Sequence, residues 1–382
     1  MTKTSATQIN SLRIASLLGL AATIALVVAA VWLPSTNAAG RVASAPRSFF
    51  GVAPQTSLTE TDAEYMRAGR IGSVRWPLAW SGVQPEPNGE YQWGGFDEVV
   101  ATAARQRLQV LPFVYATPDW VAPKYTTLPV SSARQRSGWR AFLRAAVERY
   151  GPRGEFWREH GAESGDYVPK VPLREWQIWN EANFFYFAFP VSVGRYAQLL
   201  KLSRGAIKSV DPGATIVLSG LFGEPDERGS RGMSAADFLE RLYAVPGIKA
   251  SFDGIALHPY AVDAETLAEQ TEEMREISLE NGDRRAGVYI TEMGWGSQNN
   301  FQQVAFEQGI RGQVKQLRDS YAYLLENRHR LNIKGTYWFT WKDIDGSCNF
   351  CDSTGLFRRG DHFKPKPAWH AFVGLSRGRA RP

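Results

Sequence analysis

Two spacings of apolar residues alternate along the chain. Short runs rich in β-branched and aromatic residues recur between longer stretches whose apolar residues follow a helical spacing. The short runs predict eight strands, at residues 49–53, 73–78, 109–116, 176–180, 215–221, 253–258, 287–292 and 335–341. The longer stretches predict helices, for example at residues 61–70, 96–106, 137–150, 193–210, 235–242, 264–280 and 304–327. Strands that alternate with helices are typical of a parallel sheet, and eight such units close an α/β fold of the (β/α)8 TIM barrel type.

An apolar run near the start of the sequence indicates export. The run covers residues 14–33, follows Lys3 and Arg13, and precedes the small residues Ala38 and Ala39. Basic residues, an apolar segment and small residues in that order are typical of a signal peptide. The run also reaches the roughly 20 residues that span a bilayer, so a cleaved signal peptide and a retained single-span anchor both stay open. Either way we expect the remainder to be secreted or anchored in the cell membrane, outside the cytoplasm.

We therefore expect three segments. They are a signal peptide or anchor at residues 1–38, a linker at residues 39–48 and a single barrel domain at residues 49–382. Residues 151–172 interrupt the barrel pattern and predict a polar loop with a helical turn at residues 155–160.

The composition refines this picture. The 382 residues include 44 Lys and Arg against 38 Asp and Glu, and the net charge of +6 is spread along the chain. It indicates a solvated surface, or alternatively a preference for anionic glycans or envelope surfaces, and no nucleic-acid partner is expected. The 13 Trp, 14 Tyr and 20 Phe are many large rings, which fill cores or stack on sugars.

The two cysteines, Cys348 and Cys351, could form a local disulfide in an oxidising compartment. A zinc site is not expected, because two cysteines are too few and His362 and His370 lack ligand spacing. The chain also lacks the sequence patterns of serine-hydrolase elbows, zinc proteases, phosphate loops and dinucleotide sites. We predict no metal and no cofactor.

Two glutamates stand where predicted strands end, which is where a TIM barrel places its active site. Glu181 follows the fourth strand in Trp-Gln-Ile-Trp-Asn-Glu-Ala-Asn, and Glu292 ends the seventh in Tyr-Ile-Thr-Glu-Met-Gly-Trp. Two carboxyls roughly 5 to 5.5 Å apart cleave a glycosidic bond with retention. One strand-end glutamate more often forms a salt bridge or a helix cap, but further polar and aromatic strand-end residues argue against that interpretation here: Arg75, Asn180, His258, Tyr260 and Trp338.

These segments resemble the clan A retaining glycoside hydrolases, (β/α)8 enzymes with the acid/base on strand 4 and the nucleophile on strand 7. The pair Asn180-Glu181 is similar to the strand-4 motif of the clan, and the Thr-Glu-Met-Gly-Trp segment around Glu292 is similar to the strand-7 motif. Residues 253–260, Asp-Gly-Ile-Ala-Leu-His-Pro-Tyr, resemble the strand-6 segment of family 39 and family 5-like members. The resemblance covers about residues 49–372 and departs at Ala182, where many relatives have proline.

The resemblance implies that Glu181 is the acid/base and Glu292 the nucleophile. A proton donor must be protonated at the working pH, which burial favours, and Glu181 lies among aromatic residues in the sequence. A nucleophile must be ionised, and Arg75 is expected to hold Glu292 in that state.

Other residues are expected to bind the substrate. Asn180 is expected to donate to the sugar 2-hydroxyl, and Tyr260 to hydrogen-bond the nucleophile. Trp338 is expected, by analogy with the family, to form the floor of the sugar subsite. His258 is either a buried histidine bonded to a neighbour or a residue that contacts the sugar or supports the nucleophile. Trp80, Trp120 and residues 184–187 either stack on further sugars or pack in the core.

The sequence thus predicts a retaining O-glycoside hydrolase that acts on β-linked oligo- or polysaccharide by double displacement. Its partner is a carbohydrate substrate, with membrane association through residues 14–33 as a further option. Two alternatives stay open: a glycan-binding barrel without catalysis, and a transglycosylase with the same carboxylate pair.

Overall fold

A closed parallel barrel forms the centre of the molecule. The computed structural model describes residues 43–299, 304–346, 351–360 and 362–379, which lie in one compact unit. Within them the strands are β1 (Phe50–Val52), β2 (Ser73–Ala79), β3 (Gln109–Tyr115), β4 (Glu175–Ile178), β5 (Thr215–Val217), β6 (Leu221–Phe222), β7 (Gly254–His258), β8 (Gly287–Met293) and β9 (Ile333–Trp338). Their order is β5-β4-β3-β2-β1-β9-β8-β7-β6, and a further pairing of β5 with β7 closes the ring. The predicted (β/α)8 TIM barrel is confirmed.

The fifth barrel position is divided between two short strands. The prediction of one continuous strand at residues 215–221 is therefore wrong, because the structure has two short strands there, β5 and β6. Gly220 lies between β5 and β6 with φ 66°, a left-handed conformation that glycine adopts without a steric penalty. Both short strands pair with β7, through Val217 with Gly254 and through Leu221 with Leu257, so the barrel keeps eight positions.

Helices surround the barrel in the described part of the chain. They are α1 (Glu60–Ala68), α2 (Trp80–Val83), α3 (Gly94–Arg105), α4 (Ala133–Tyr150), α5 (Glu155–Glu159), α6 (Val193–Val210), α7 (Ala235–Tyr243), α8 (Ala264–Glu280), α9 (Gly309–Glu326) and α10 (Pro367–Ser376). The bounds predicted for α6 and α8 agree with the structure, and the helical turn predicted after residue 155 is α5. The prediction for α9 began too early, and α2 and α10 were not predicted.

Capping side chains determine where several helices begin. Thr59 and Asp62 form a capping box at α1, and Ser132 and Gln135 form another at α4, so in each helix one backbone N–H of the first turn and that of the N-cap residue are satisfied. Asp62 also accepts a hydrogen bond from Trp341 Nε1 at 2.7 Å, and its carboxylate forms an ion pair with the Lys342 ammonium at 2.8 Å. These buried contacts fix the start of α1 to the segment that follows β9.

The apolar core lies between the strands and the helices. Large rings fill it, and among the fully buried side chains are Trp139, Trp176, Trp179 and Tyr196. Successive residues of a strand face opposite sides. In β2, Val74 joins this outer core while Arg75 reaches polar groups of other strands inside the barrel. The barrel interior thus combines apolar side chains with a buried polar network.

Two predictions concern parts of the chain that the structure describes only in part. In the described residues no helix has the length and apolar character needed to cross a bilayer. The apolar run at residues 14–33 lies outside the described residues, as does Cys348. Cys351 is described, is buried and takes part in a disulfide.

Candidate active site

The fold brings Glu181 and Glu292 together at the C-terminal mouth of the barrel. Glu181 follows β4 and Glu292 lies in β8, yet one oxygen of each lies within 4.8 Å of the other and of a ring nitrogen of His258. Both residues are nearly buried, with 6% and 8% of their surface exposed. Two carboxyls at the end of a barrel therefore face each other in a largely dry site.

An irregular backbone presents the Glu181 side chain. Strand β4 ends at Ile178, before the predicted bound, and Trp179 and Glu181 adopt left-handed conformations with φ 72° and 40°. Such conformations are strained for residues other than glycine and are typical of functional sites. The backbone N–H of Glu181 donates to the carbonyl of Ser219 at 2.8 Å, which holds this turn against the next barrel position.

Two donors hold the Glu292 carboxylate. Arg75 Nη1 donates to Oε1 at 2.5 Å, and the hydroxyl of Tyr260 donates to Oε2 at 2.8 Å. Charge-assisted bonds of this kind fix a carboxylate in one orientation. The predicted contacts of Arg75 and Tyr260 with Glu292 are thus present in the structure.

Arg75 contacts three polar side chains at once. Besides its bond to Glu292, its Nε donates to Gln177 Oε1 at 2.6 Å and its Nη2 donates to Asn180 Oδ1. The guanidinium also lies 4.0 Å from the centre of the Phe113 ring. One buried cation therefore ties β2, β4 and β8 together.

His258 contacts both carboxyls. Its Nδ1 lies 2.7 Å from Glu181 Oε1 and 3.5 Å from Glu292 Oε2, whereas its buried Nε2 has no hydrogen-bond partner among the described residues. Nε2 faces Gly220, where an added Cβ would lie only 2.2 Å away. Burial, reinforced by the nearby Arg75 cation, lowers the pKa of His258 well below its usual value, so the ring is neutral near pH 7.

The two carboxyls differ in their electrostatic surroundings. Burial raises the pKa of Glu181 well above its usual value, and the negative charge of Glu292 adds to this shift. Burial also raises the pKa of Glu292, but the Arg75 cation and the bonds from Tyr260 and Arg75 oppose that shift. A proton shared by the pair therefore resides on Glu181, which leaves Glu292 ionised.

The same three side chains, Glu181, His258 and Glu292, offer atoms that a metal ion could use. However, the Arg75 guanidinium already bonds Glu292, and a second cation beside it would meet strong repulsion in a buried site. The arrangement suits proton transfer better than metal binding.

Comparison with known protein families finds a match to a glycoside hydrolase family. Residues 53–208 match the model of glycoside hydrolase family 42, described as beta-galactosidase. No curated protein matches the chain. The family match covers Arg75, Asn180 and Glu181, whereas His258, Tyr260 and Glu292 lie beyond it and are brought to the site by the barrel.

Several solved glycoside hydrolases share the fold. A family 39 glycoside hydrolase from Bacteroides cellulosilyticus WH2 is 22% identical with a TM-score of 0.62, and the alignment covers 87% of this chain and 64% of that one. A beta-xylosidase from Caulobacter crescentus CB15 is 16% identical with a TM-score of 0.62 and coverages of 89% and 70%. Xylanase 10B from Thermotoga maritima is 14% identical with a TM-score of 0.58 and coverages of 86% and 94%. The predicted resemblance to clan A glycoside hydrolases is confirmed. Both the family match and these structural neighbours are glycoside hydrolases.

The prediction that Trp338 forms part of the site is wrong. Trp338 has no exposed surface, packs 6.2 Å from Trp295 in the outer core, and donates its indole N–H to Thr354. It therefore cannot form the floor of a sugar subsite in this structure. The next residue, Phe339, faces the opposite way, and its ring lies 6.1 Å from that of Tyr260.

Some contributors to the site were not predicted. Gln177 Oε1 accepts a hydrogen bond from Arg75 Nε, and Gln177 Nε2 donates to the hydroxyl of Thr291 at 3.2 Å. Gln177 therefore links β4, which precedes Glu181, with β8, which contains Glu292. A polar residue inside the otherwise apolar run Trp-Gln-Ile was the available signal. Of the aromatic residues expected either to stack on sugars or to pack in the core, Trp80 is fully buried and packs 5.7 Å from the partly buried Trp120, which supports the core interpretation for that pair.

Proposed function

We propose that this protein is a retaining glycoside hydrolase that acts on β-linked oligo- or polysaccharide. The observation that carries the proposal is the pair of buried carboxyls with oxygens within 4.8 Å, one bonded to Arg75 and Tyr260 and the other beside neutral His258. Retaining enzymes place their carboxyls about 5 to 5.5 Å apart, whereas inverting enzymes leave about 6.5 to 9.5 Å for a water. The short separation supports the double-displacement route.

In the first step Glu292 attacks the anomeric carbon while Glu181 gives its proton to the departing glycosidic oxygen. The bond between the anomeric carbon and that oxygen breaks, and a glycosyl ester forms on Glu292. In the second step a water gives a proton to Glu181 and attacks the anomeric carbon, which frees Glu292 as a carboxylate. The bonds from Arg75 and Tyr260 keep Glu292 oriented in both steps.

The orientation of Asn180 fits a role in sugar binding. Its amide oxygen accepts from Arg75, so its amide N–H groups are left to donate toward the site. A bond from that amide to the sugar 2-hydroxyl would strengthen as positive charge develops on the ring. Arg75 thus orients both the nucleophile and this donor.

A panel of aryl β-glycosides and β-linked polysaccharides tests the proposal on the purified full-length chain. We expect hydrolysis by the wild type and no hydrolysis by Glu292→Gln, which keeps the size of the side chain but cannot attack. NMR of the first product should show the anomer of the substrate, because two displacements restore it.

The same panel separates the alternatives. An inverted first product would overturn the mechanism. Binding without cleavage by the wild type would indicate a glycan-binding barrel, and products longer than the substrate in the presence of added sugar acceptors would indicate a transglycosylase.

We also propose that the barrel acts outside the cytoplasm. The support is the order of Lys3 and Arg13, the apolar run at residues 14–33 and the small residues at 38–39. N-terminal sequencing of the exported protein tests it. A start near Ala39 means release, and an intact Met1 or Thr2 in the membrane fraction means an anchor. Active enzyme confined to the cytoplasm would contradict both.

A further inference from the structure

A row of aromatic rings leads from the catalytic pair to the protein surface. The ring of Tyr260, which bonds Glu292, lies 5.9 Å from Phe222, and Phe222 stacks on Phe184 at 5.2 Å with an interplanar angle of 23°. Phe184 in turn contacts Tyr186 at 5.0 Å, and Tyr186 is 59% exposed. We call Phe222, Phe184 and Tyr186 the aromatic track. The track is continuous with the catalytic site at one end and open to solvent at the other.

The exposed end of the aromatic track is held in place before any ligand arrives. Phe185 stacks on Tyr186 at 4.2 Å, and the Arg231 guanidinium lies 3.7 Å from the centre of the Phe185 ring. The hydroxyl of Tyr125, itself 54% exposed, donates to the Tyr186 carbonyl at 3.3 Å. One side of Tyr186 is therefore covered by an ordered stack. Neighbouring aromatic rings that remain partly exposed together, as Tyr125, Phe185 and Tyr186 do, are typical of a binding surface.

The aromatic track is fixed to the turn that presents Glu181. The backbone N–H of Phe184 donates to the Glu181 carbonyl at 2.9 Å. The side-chain amide of Asn183 donates to the carbonyls of Phe222 and Met233 at 2.7 and 2.8 Å, and its oxygen accepts from the Phe222 N–H at 2.9 Å. The aromatic track is therefore joined to the turn of the proposed proton donor, and this connection is the reason for assigning it to the leaving-group side of the cleaved bond.

We propose that the aromatic track binds the sugar residues on the leaving-group side, so that the enzyme prefers chains of several sugars to a single glycoside. The inference rests on the proposed hydrolase function. Sugar rings have apolar C–H faces that pack on aromatic rings, while their hydroxyls bond to polar groups at the rim. The half-buried faces of Phe184 and Phe222 and the exposed face of Tyr186 offer successive surfaces of this kind.

The test compares Tyr186→Ala with Tyr167→Ala. Tyr167 is a matched control, because it is 53% exposed but lies between α5 and β4, at the opposite end of the barrel. The substrates are the hexasaccharides of β-1,4-linked xylose, glucose, mannose and galactose, each beside the 4-nitrophenyl glycoside of the same sugar. For the hexasaccharide that is cleaved, the measured quantity is the ratio of its kcat/KM to the kcat/KM of the matching 4-nitrophenyl glycoside. We expect this ratio to fall about five- to tenfold in Tyr186→Ala, because one aromatic contact with the sugar chain is lost. Tyr167→Ala should keep the wild-type preference.

Calorimetric titration of the same hexasaccharides keeps this inference separate from the hydrolase proposal. Binding that weakens in Tyr186→Ala and not in Tyr167→Ala would support the aromatic track even if no bond is cleaved. An equal effect of Tyr186→Ala on both kinds of substrate, or no effect on the hexasaccharide, would overturn it. A wild type that neither binds nor prefers any hexasaccharide would overturn it as well.

Discussion

Glu292→Ala is expected to reduce hydrolysis by roughly 10⁴-fold or more, because it removes the group that forms the covalent intermediate. Azide should then restore turnover. The small anion fits the space left by the carboxylate and attacks the anomeric carbon once, so the glycosyl azide should have the anomeric configuration opposite to that of the substrate. NMR of the product and the azide dependence of kcat are the measurements.

The matched control for that variant is Glu265→Ala, which changes an exposed glutamate in the first turn of α8, outside the catalytic pair and the side chains bonded to it. It should retain wild-type activity and show no response to azide. A glycosyl azide with the same configuration as the substrate would assign the nucleophile elsewhere, and full activity of Glu292→Ala would exclude its role altogether.

Glu181→Ala should lose activity selectively, by about 10²- to 10⁴-fold on substrates whose leaving group needs a proton. Activity on 2,4-dinitrophenyl glycosides should be largely retained in the first step, because that leaving group departs without protonation. Comparison of kcat/KM across aryl glycosides of increasing leaving-group pKa measures this selectivity. Equal losses across the series would show that Glu181 does not act as the acid.

The pH profile provides a second measure of the same role. Burial and the charge of Glu292 raise the pKa of Glu181, so the wild type should hold its proton into a higher pH range than an ordinary glutamic acid does. Activity requires the protonated form and should therefore fall as the pH rises through this raised pKa. In Glu181→Ala that alkaline decline in kcat/KM should disappear on dinitrophenyl substrates. Persistence of the same decline would assign it to another group.

Much of the fold was predictable from the sequence because its signals are local and repeated. The alternation of strand-like and helical spacings identified the barrel, and α6 and α8 carry start and stop signals that placed both bounds. The strand-end positions of Glu181 and Glu292 followed from the same alternation. Parallel strands of one barrel end on the same side, so residues far apart in sequence were expected to meet there.

The features that escaped prediction depend on contacts between distant parts of the chain. Trp338 and Phe339 are neighbours in sequence, and a shift of one residue in a strand exchanges the two faces. Gly220, where the fifth barrel position is divided, leaves no room for a side chain because it lies against His258, and no local pattern reveals that contact. The bond between Arg75 and Gln177 likewise joins two strands, so it could not be predicted from either segment alone.

The three-way contact of Arg75 has a consequence for how this site would behave in combinatorial mutagenesis. A library that varies Arg75, Gln177 and Asn180 one at a time should find that each position tolerates few substitutions. The reason is that Gln177 and Asn180 both accept hydrogen bonds from the Arg75 guanidinium, so a change at any one position removes a matched partner from at least one of the others. Lysine would not substitute for Arg75, since an ammonium lacks the planar fork that spans three acceptors. Libraries that vary the three positions together are therefore the ones able to find a different set of side chains that still orients Glu292.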